Sequence, residues 1–435
     1  MPGIFGKARF QRPDGAAAAG IKVDHIESKL LIIPYFRPSI GQSEIEEVVD
    51  SLRSGWLTTG PKVNRFEQEF ASYVGAQYAV AMNSCTAALH LALEAIGIQR
   101  GDLVLVPTMT FGATAEVVRY FDAVPVLVDC NRNSCLDTDA LKKTISAINS
   151  GIPVAGLNPP YGPLKAVIPM HYGGCCCDMA RIMEIAREFS LEVIEDAAHA
   201  FPSQYRPDTG SDWTYAGRFG KVGCFSFYAN KCITTGEGGM AVTDDGEIAE
   251  RLRLMSLHGM SKDAWKRYTA QGSWYYELVA PGYKYNLTDL AAAIGIHQLA
   301  RAEEFRLRRE AIAHRYSEVF QLRDELETPG EAPETRVHSW HLYPLRLNLE
   351  RLDIDRAEFI EQLKQKGVSC SVHWMPLHMH PYYRQTYNLH EGLFAVAERQ
   401  WLREISLPIF PDMQDQELEY VCRCVIEVTE SHSKR

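Results

Sequence analysis

Residues 166–196 read AVIPMHYGGCCCDMARIMEIAREFSLEVIED, and the order of apolar and amphipathic runs in this segment indicates the fold class. An apolar run at 166–170 is followed by a helix with amphipathic spacing at 179–189 and by a second apolar run that starts at 191 and ends in two carboxylates. Continuous apolar runs are typical of strands that are buried on both faces, and a helix between them joins parallel neighbours. The segment therefore predicts one strand–helix–strand unit of a mainly parallel sheet.

The same alternation extends toward the N-terminus, where we predict strands at 78–81, 103–106 and 124–128 and helices at 87–96 and 113–120. After residue 286 the pattern changes to one long helix at 290–315, a strand at 340–347 and a helix at 356–366. We therefore predict an α/β protein in which a large domain (31–289), with a mainly parallel sheet covered by helices, precedes the long helix and a smaller α+β domain (290–435). In sheets of this kind, ligands bind outside the carboxyl ends of the strands.

Composition excludes several classes of protein. The chain has 435 residues, and its 45 basic and 55 acidic residues give a net charge of −10, which argues against nucleic acid as a partner. No apolar run approaches the roughly 18 residues of a membrane span. Residues 1–30 include the low-complexity run 15–20, and we expect them to be an extension outside the fold and disordered.

The eleven cysteines are odd in number, and we find no secretory signal before them. We therefore expect reduced thiols and a cytoplasmic protein. The run Cys175–Cys177 raises the question of a metal or redox site. Adjacent cysteines cannot all point at one metal ion, however, and no second pair of cysteines has zinc-like spacing. We interpret these cysteines as core or loop thiols and predict no metal site.

Four features follow predicted strands, where a ligand would bind. Ser84 can cap the helix that begins after the first strand, and the N–H groups of Thr86 and Ala87 would then face an anion, although a simple helix cap also explains the motif. Asp196 follows a buried strand, and a buried carboxylate needs a partner such as a protonated ring nitrogen or a structural ion pair.

The third feature is Lys231, which lies between an apolar strand and the Gly-rich loop 234–239, so that loss of hydration would lower its pKa and favour a Schiff base. The fourth is Phe111, which can stack on a planar ring or belong to the core. Together, a phosphate cradle, a stacking ring, an acid and a lysine 35 positions after the acid match a pyridoxal 5'-phosphate (PLP) site.

The motifs that extend this match are at 54–61, 83–93, 195–202, 225–239 and 282–289. On these motifs the sequence resembles the DegT/DnrJ group of sugar aminotransferases, which are PLP enzymes of fold type I with an aspartate aminotransferase-like fold. The resemblance covers residues 34–430, and the last motif is similar to the branch that handles nucleotide-linked 4-keto sugars. The loop 201–223 is longer than expected for that family and is a candidate to shape substrate access.

The resemblance implies roles for individual residues. Lys231 would form the internal aldimine and shuttle a proton, Asp196 would pair with the pyridine nitrogen, and Phe111 would stack on the ring. Thr86, Ala87 and Ser226 would bind the phosphate, together with Asn286 from a second subunit. His199 would lie near the ring hydroxyl. Thr58, Thr59 and His373 would contact the substrate. We expect His171, which also follows a strand, to be structural.

The resemblance thus implies an enzyme that converts a nucleotide-diphospho keto-sugar to an amino sugar, with pyridoxamine phosphate (PMP) as intermediate and glutamate as the expected donor. It also implies a homodimer with shared sites and a pathway to a surface polysaccharide, glycan or antibiotic sugar. Two alternatives remain open: a PLP-dependent sugar dehydratase of the same fold, and a PLP-binding regulatory protein. The dehydratase relatives have histidine in place of the lysine, so Lys231 argues against that alternative.

Overall fold

Helices and strands alternate through the first half of the chain, as the sequence predicts. The computed structural model describes residues 31–260, 276–330 and 333–434, so that the predicted extension at 1–30 lies outside the described residues. The elements up to residue 256 are α1 (Gln42–Ser54), α2 (Pro61–Val74), β1 (Tyr78–Met82), α3 (Cys85–Ala95), β2 (Leu103–Pro107), α4 (Ala113–Arg119), β3 (Val124–Val128), α5 (Thr138–Asn149), β4 (Leu164–Val167), α6 (Met179–Glu188), β5 (Glu192–Asp196), β6 (Gln204–Tyr205), β7 (Thr214–Tyr215), β8 (Val222–Ser226), β9 (Gly239–Thr243) and α7 (Gly246–Ser256).

The second half of the chain has shorter strands and longer helices. Its elements are α8 (Asp289–Ala300), α9 (Ala302–Phe320), β10 (Leu326–Glu327), β11 (Arg336–Val337), β12 (Tyr343–Leu347), α10 (Arg356–Gln365), α11 (Pro381–Tyr387), α12 (Ala395–Arg403), β13 (Glu404–Leu407) and α13 (Asp415–Ser431). Short 3-10 turns lie at Tyr172–Gly174 and Leu377–Met379.

The prediction of one helix over 290–315 is wrong, because α8 and α9 are separated at Arg301, whose φ of −104° and ψ of 4° are not helical. The side chains of the two helices pack in two hydrophobic clusters. Ile296 of α8 and Phe305 at the start of α9 pack in the cluster around the large sheet, whereas Ile312 and Tyr316, farther along α9, pack in a second cluster. The change from one cluster to the other therefore lies within α9, after the break at Arg301.

A seven-stranded sheet in the order β1-β9-β8-β5-β4-β2-β3 organises the larger cluster. The pairs β8–β5, β5–β4, β4–β2 and β2–β3 are parallel, whereas β9 is antiparallel to both β1 and β8. Six strands therefore point the same way, and the carboxyl ends of β1, β5 and β8 lie at one edge of the sheet. This edge is where a parallel sheet binds ligands.

The second cluster surrounds the three-stranded antiparallel sheet β10-β12-β13. This cluster also contains Ile33, and the larger cluster also contains residues between Leu377 and Ala397, so each cluster takes residues from both halves of the chain. The division into domains at residue 290 stays a prediction. In the long loop 201–223, β6 pairs with β7 and with the distant β11, which forms a third, small sheet.

Candidate active site

Three predicted site elements meet at the carboxyl edge of the large sheet. Asp196 is the last residue of β5, Lys231 follows β8, and α3 begins directly after β1. The Cys85 thiol at the start of α3 lies within electrostatic range of both Asp196 and Lys231. The structure thus brings the acid, the lysine and the helix N-terminus together.

Asp196 is buried and held by neutral donors. The Thr114 hydroxyl donates to Oδ2 at 2.8 Å, and the Ala198 N–H donates to Oδ1 at 3.1 Å. Burial raises the pKa of the Asp196 carboxyl, while the two hydrogen bonds and the positive charge of Lys231 oppose this rise. A buried carboxylate that is held by neutral hydrogen-bond donors favours a cationic group in the space beside it.

Lys231 is half-buried at the start of the turn that leads to β9. Burial lowers the pKa of its ammonium group to about 8, although the nearby Cys85 and Asp196 oppose the shift. The neutral amine, which is the form that attacks a carbonyl carbon, is therefore much more abundant near neutral pH than it is for an ordinary lysine.

The N-terminus of α3 differs from the prediction in one respect. Ser84 caps the helix, and its Oγ accepts the N–H of Ala87 at 3.1 Å. The Ala87 N–H is therefore already bonded and is available to an anion only if Ser84 turns away. Thr86 is half-buried at the same helix end, and Ser226 Oγ accepts the Tyr228 N–H at 3.4 Å. Phosphate binding by Thr86, Ala87 and Ser226 stays a prediction.

Rings from distant parts of the chain surround His199, which is buried. The Gly173 N–H donates to His199 Nδ1 at 3.3 Å, so a neutral ring carries its proton on Nε2. Burial lowers the His199 pKa well below its usual value, and the positive charge of Lys231 lowers it further. The ring centroid of Trp374 lies 4.9 Å from that of His199 and 6.3 Å from that of Phe111, whose ring is 60% exposed.

Sequence reasoning missed Trp374 and His341, which both contact His199. The rings of His341 and His199 lie 4.1 Å apart, and His341 is buried with no hydrogen-bond partner on either ring nitrogen within the described residues. An unpaired buried imidazole indicates a ligand or water in the adjacent space. Trp374 directly follows the predicted His373, and this was the one sequence signal that pointed to it.

The predicted residues Thr59 and Asn286 are in direct contact within one chain. Asn286 Nδ2 donates to Thr59 Oγ1 at 2.7 Å, and Thr59 Oγ1 donates to the carbonyl of Leu287 at 2.5 Å. The carbonyl of Thr58 accepts the N–H of Asp289 at 3.0 Å. Asn286 also forms a β-bridge with Met82 at the end of β1, so this pair adjoins the site edge.

Two helix caps next to this pair escaped the sequence analysis. Thr288 caps α8 by accepting the Ala291 N–H at 3.2 Å. Asp289 is fully buried, and its carboxylate accepts the N–H groups of Gly60 and Val63 at 2.8 and 3.0 Å at the start of α2. The caps fix the position of the segment that carries Thr58 and Thr59.

The expectation that His171 is structural agrees with its contacts. His171 Nε2 lies 3.0 Å from Glu195 Oε2, and His171 Nδ1 accepts the Cys177 N–H at 3.1 Å. The Glu195 carboxylate also accepts N–H groups from Gly217, Phe219 and Gly220, so it fastens the end of the long loop to β5. Both ring nitrogens of His171 are thus engaged in holding the fold.

The donor set fits a PLP site. The buried carboxylate of Asp196, the half-buried amine of Lys231 and the hydroxyl groups at the start of α3 are the groups that a pyridine nitrogen, an aldehyde and a phosphate require. Among the described residues, no group of three His, Cys, Asp or Glu side chains is arranged to hold a metal ion. Across the same residues, no helix has the length and apolar character needed to cross a bilayer.

Known proteins share this fold over nearly the whole chain. The model of the DegT/DnrJ/EryC1/StrS aminotransferase family matches residues 38–426. The spore coat polysaccharide biosynthesis protein SpsC of Bacillus subtilis is 44% identical over 404 residues, covering 93% of this chain and 98% of SpsC. MJ1066 of Methanocaldococcus jannaschii is 46% identical, covering 91% of this chain and 97% of that protein. The PMP-form of Spr1654 from Streptococcus pneumoniae is 30% identical with a TM-score of 0.80, covering 92% of this chain and 98% of that chain.

Proposed function

The chain belongs to the DegT/DnrJ/EryC1/StrS aminotransferase family and is a PLP-dependent sugar aminotransferase, and from this premise we propose that it transfers the amino group of glutamate to a nucleotide-diphospho keto-sugar. The observation that carries the proposal is that a half-buried amine, Lys231, lies within electrostatic range of a buried carboxylate, Asp196, beyond the carboxyl ends of the neighbouring strands β8 and β5. When bound, PLP withdraws electrons from the carbon that carries the amino group.

Each residue of the pair then has a defined task. Asp196 keeps a proton on the ring nitrogen of the cofactor, because a buried carboxylate beside a ring nitrogen favours the protonated ring. Lys231 is the attachment point for the cofactor and moves a proton at its Nζ, and its lowered pKa suits both tasks near neutral pH. His199, with its proton on Nε2, would donate a hydrogen bond to the ring hydroxyl of the cofactor, and Phe111 would stack on the ring.

For the acceptor we propose a 4-keto sugar linked to a nucleoside diphosphate, within the synthesis of a polysaccharide or another surface glycan. The name of SpsC, a spore coat polysaccharide biosynthesis protein, supports such a pathway for this chain. A sugar nucleotide presents a diphosphate group to the site, whereas an acid without a nucleotide presents only carboxylates. The segment of Thr58, Thr59 and Asn286 adjoins the site edge where the sugar would enter.

We also propose a homodimer in which Asn286 reaches the phosphate of the partner's cofactor. An apolar surface supports it: Ile45, Leu52 and Trp56 are exposed on and after α1, next to a groove of about 570 Å³ that Leu290 and Ile294 help to line. Large exposed apolar patches mark protein interfaces, and most soluble homo-oligomers are symmetric dimers. Asn83, at the end of β1, also lines this groove, so a second copy seated there would adjoin the site edge.

A cytoplasmic location is part of the same proposal. All eleven cysteines carry free thiols, and nine of them are buried. Sugar nucleotides are made from nucleoside triphosphates, and free thiols are typical of the reducing compartment in which those occur.

The test is a two-step reaction followed by absorbance and mass. Glutamate should convert the PLP form of the purified protein to the PMP form, and a panel of dTDP-, UDP- and GDP-linked 4-keto-6-deoxyhexoses should restore the PLP form and yield an amino sugar. A protein that binds PLP but does not respond to glutamate would contradict the proposal and favour the regulatory alternative. Conversion by glutamate without a product from any sugar in the panel would contradict the choice of acceptor.

A further inference from the structure

A buried acid on β13 faces the predicted substrate residue His373. Side chains alternate along a strand, so Glu404 and Ser406 point to the same side of β13 (Glu404–Leu407). Both are buried, and Ser406 is joined to the segment of His373 by backbone hydrogen bonds with Ser371 at 2.8 and 3.1 Å. The acid therefore belongs to the strand that supports the predicted pocket.

Glu404 reaches His373 along two routes. On one side, the Ser406 hydroxyl lies 2.9 Å from Glu404 Oε1 and 2.8 Å from His373 Nδ1. On the other side, Tyr172 Oη lies 2.5 Å from Glu404 Oε2 and 2.6 Å from the carbonyl oxygen of His373. One carboxyl group thus holds both the ring and the backbone of His373.

The contacts of Ser406 fix the position of the proton on His373. The Tyr172 hydroxyl is placed to donate to Glu404 Oε2 and to the His373 carbonyl, so it keeps Glu404 beside the backbone of His373. Glu404 Oε1 accepts the Ser406 hydroxyl proton, so the Ser406 oxygen accepts the proton of His373 Nδ1. A neutral His373 consequently has a free electron pair on Nε2.

The surroundings of Glu404 and His373 shift the pKa values of both groups. Burial raises the pKa of Glu404, and the hydrogen bond with Tyr172 and the charges of Arg346 and Arg356 oppose the rise without reversing it. Arg346 lies opposite Glu404 on β12, but its guanidinium forms an ion pair with Glu327 at 3.8 Å. Burial also lowers the pKa of His373 to about 3, helped by the charge of Lys231, so its ring is neutral near pH 7.

We propose that Glu404 is a positioning residue that acts through Tyr172 and Ser406 to hold His373 in the tautomer whose Nε2 accepts a hydrogen bond from a hydroxyl group of the sugar substrate. The inference rests on the proposed function and deepens it by assigning a specificity contact. The residues concerned come from β13, from the turn at 172–174 and from the segment before the 377–379 turn.

The unprotonated Nε2 of His373 determines which kind of substrate group it can bind. An unprotonated imidazole nitrogen accepts hydrogen bonds and disfavours a carboxylate, so it suits the hydroxyl of a sugar and not the acid groups of glutamate. The rings of Tyr35 and Trp374 lie 5.8 and 5.4 Å from that of His373. A hydrogen-bonding group between apolar rings is typical of a small-molecule pocket, and the charge of Lys231 acts on His373 directly.

The first test compares Ser406→Ala with Ser371→Ala, a matched control whose serine pairs with Ser406 through the backbone. Each half of the reaction is measured alone, with glutamate on the PLP form and with the best 4-keto-6-deoxyhexose nucleotide of the panel on the PMP form. Ser406→Ala frees the ring of His373 and should raise KM for the sugar about tenfold, with the glutamate step within twofold of wild type. An unchanged KM for the sugar, or an equal loss in the glutamate step, overturns the inference.

The second test uses a pair of substitutions at Glu404. In Glu404→Gln the amide oxygen still accepts from the Ser406 hydroxyl, so this variant should recover most of the sugar KM that Glu404→Ala loses. A glutamine variant as poor as the alanine variant shows that the hydrogen bond from Ser406 does not carry the effect and overturns the inference. Failure of wild type itself in the glutamate step contradicts the proposed function instead.

The third measurement does not depend on activity or on whether Glu404→Ala folds. In ¹⁵N spectra of histidine-labelled wild-type protein, the signals of His373, identified by their loss in His373→Gln, should show a protonated Nδ1 and an unprotonated Nε2. Ser406→Ala should mix the two tautomers. A wild-type His373 with the proton on Nε2 overturns the inference.

Discussion

Replacing Glu195 by glutamine should destabilise the fold although the two side chains have nearly the same shape. The carboxylate is completely buried, and it accepts the N–H groups of Phe219 and Gly220 at 2.6 and 2.7 Å on one oxygen and that of Gly217 at 2.8 Å on the other. His171 Nε2 is the fourth donor, at 3.0 Å. The amide group of glutamine would place its NH₂ against at least one of these backbone donors in either orientation.

The magnitude follows from what is lost. A hydrogen bond to a charged acceptor contributes about 1.5–3 kcal/mol, and a buried donor without a partner costs about 1–3 kcal/mol. With one bond lost and one donor unpaired, we expect the free energy of unfolding to fall by about 3 kcal/mol. Glu192, on the same strand but exposed, is the matched control, and Glu192→Gln should change this quantity by less than about 0.5 kcal/mol.

The assay is urea unfolding of the cofactor-free protein, followed by tryptophan fluorescence at one protein concentration for all variants. Removing the cofactor and fixing the concentration keep binding and assembly from shifting the midpoint. A fall of less than about 1 kcal/mol in Glu195→Gln would refute the reasoning, as would an equal fall in Glu192→Gln.

Three further predictions concern the site itself. The rate at which the cofactor-free protein captures PLP should rise with pH through about 8, because the Lys231 pKa is lowered to about 8 and the neutral amine is the reactive form; borohydride should then fix the cofactor on Lys231, and a label mapped to another lysine would contradict the assignment. Asp196→Asn should keep PLP but lose turnover on the order of a hundredfold, since a neutral amide does not hold the ring proton; unchanged turnover in steady-state assays would disprove the role. Lys231→Ala and Asn286→Ala, each inactive alone, should regain part of the activity when refolded together, because one site of the mixed dimer carries both lesions and the other carries neither; mixed dimers that form but stay inactive would show that Asn286 is not shared.

The sheet and the acid–lysine pair were predictable because their signals are local. Continuous apolar runs end where β5 and β8 end, so Asp196 and the segment of Lys231 were placed at the sheet edge from the sequence alone. Ser84 shows the limit of this reasoning. The residue that was predicted as a cap does cap α3, but the cap uses the Ala87 N–H that was assigned to the phosphate.

The residues that sequence reasoning missed depend on contacts between distant segments. Glu404 and Tyr172 meet across a separation of 232 residues, and the His199–His341 contact joins the large sheet to the chain before β12. No spacing within one segment reveals such partners. The break between α8 and α9 also escaped the sequence, because the helical pattern over 290–315 continues through Arg301, where the backbone leaves helical geometry.

The contacts that Tyr172 and Glu404 make around His373 also have a consequence for protein synthesis. Tyr172 and Glu404 are separated by 232 residues, so at about 5–20 residues per second the acid leaves the ribosome roughly 10–50 s after the tyrosine that it holds. Within that interval the large sheet receives its last strand, β9, which ends at Thr243, well before β13 is made, and long-range pairings of this kind form slowly. The nascent chain therefore passes through a stage in which all strands of the large sheet have been made but the pocket is open, and it becomes competent for catalysis only after β13 has been made.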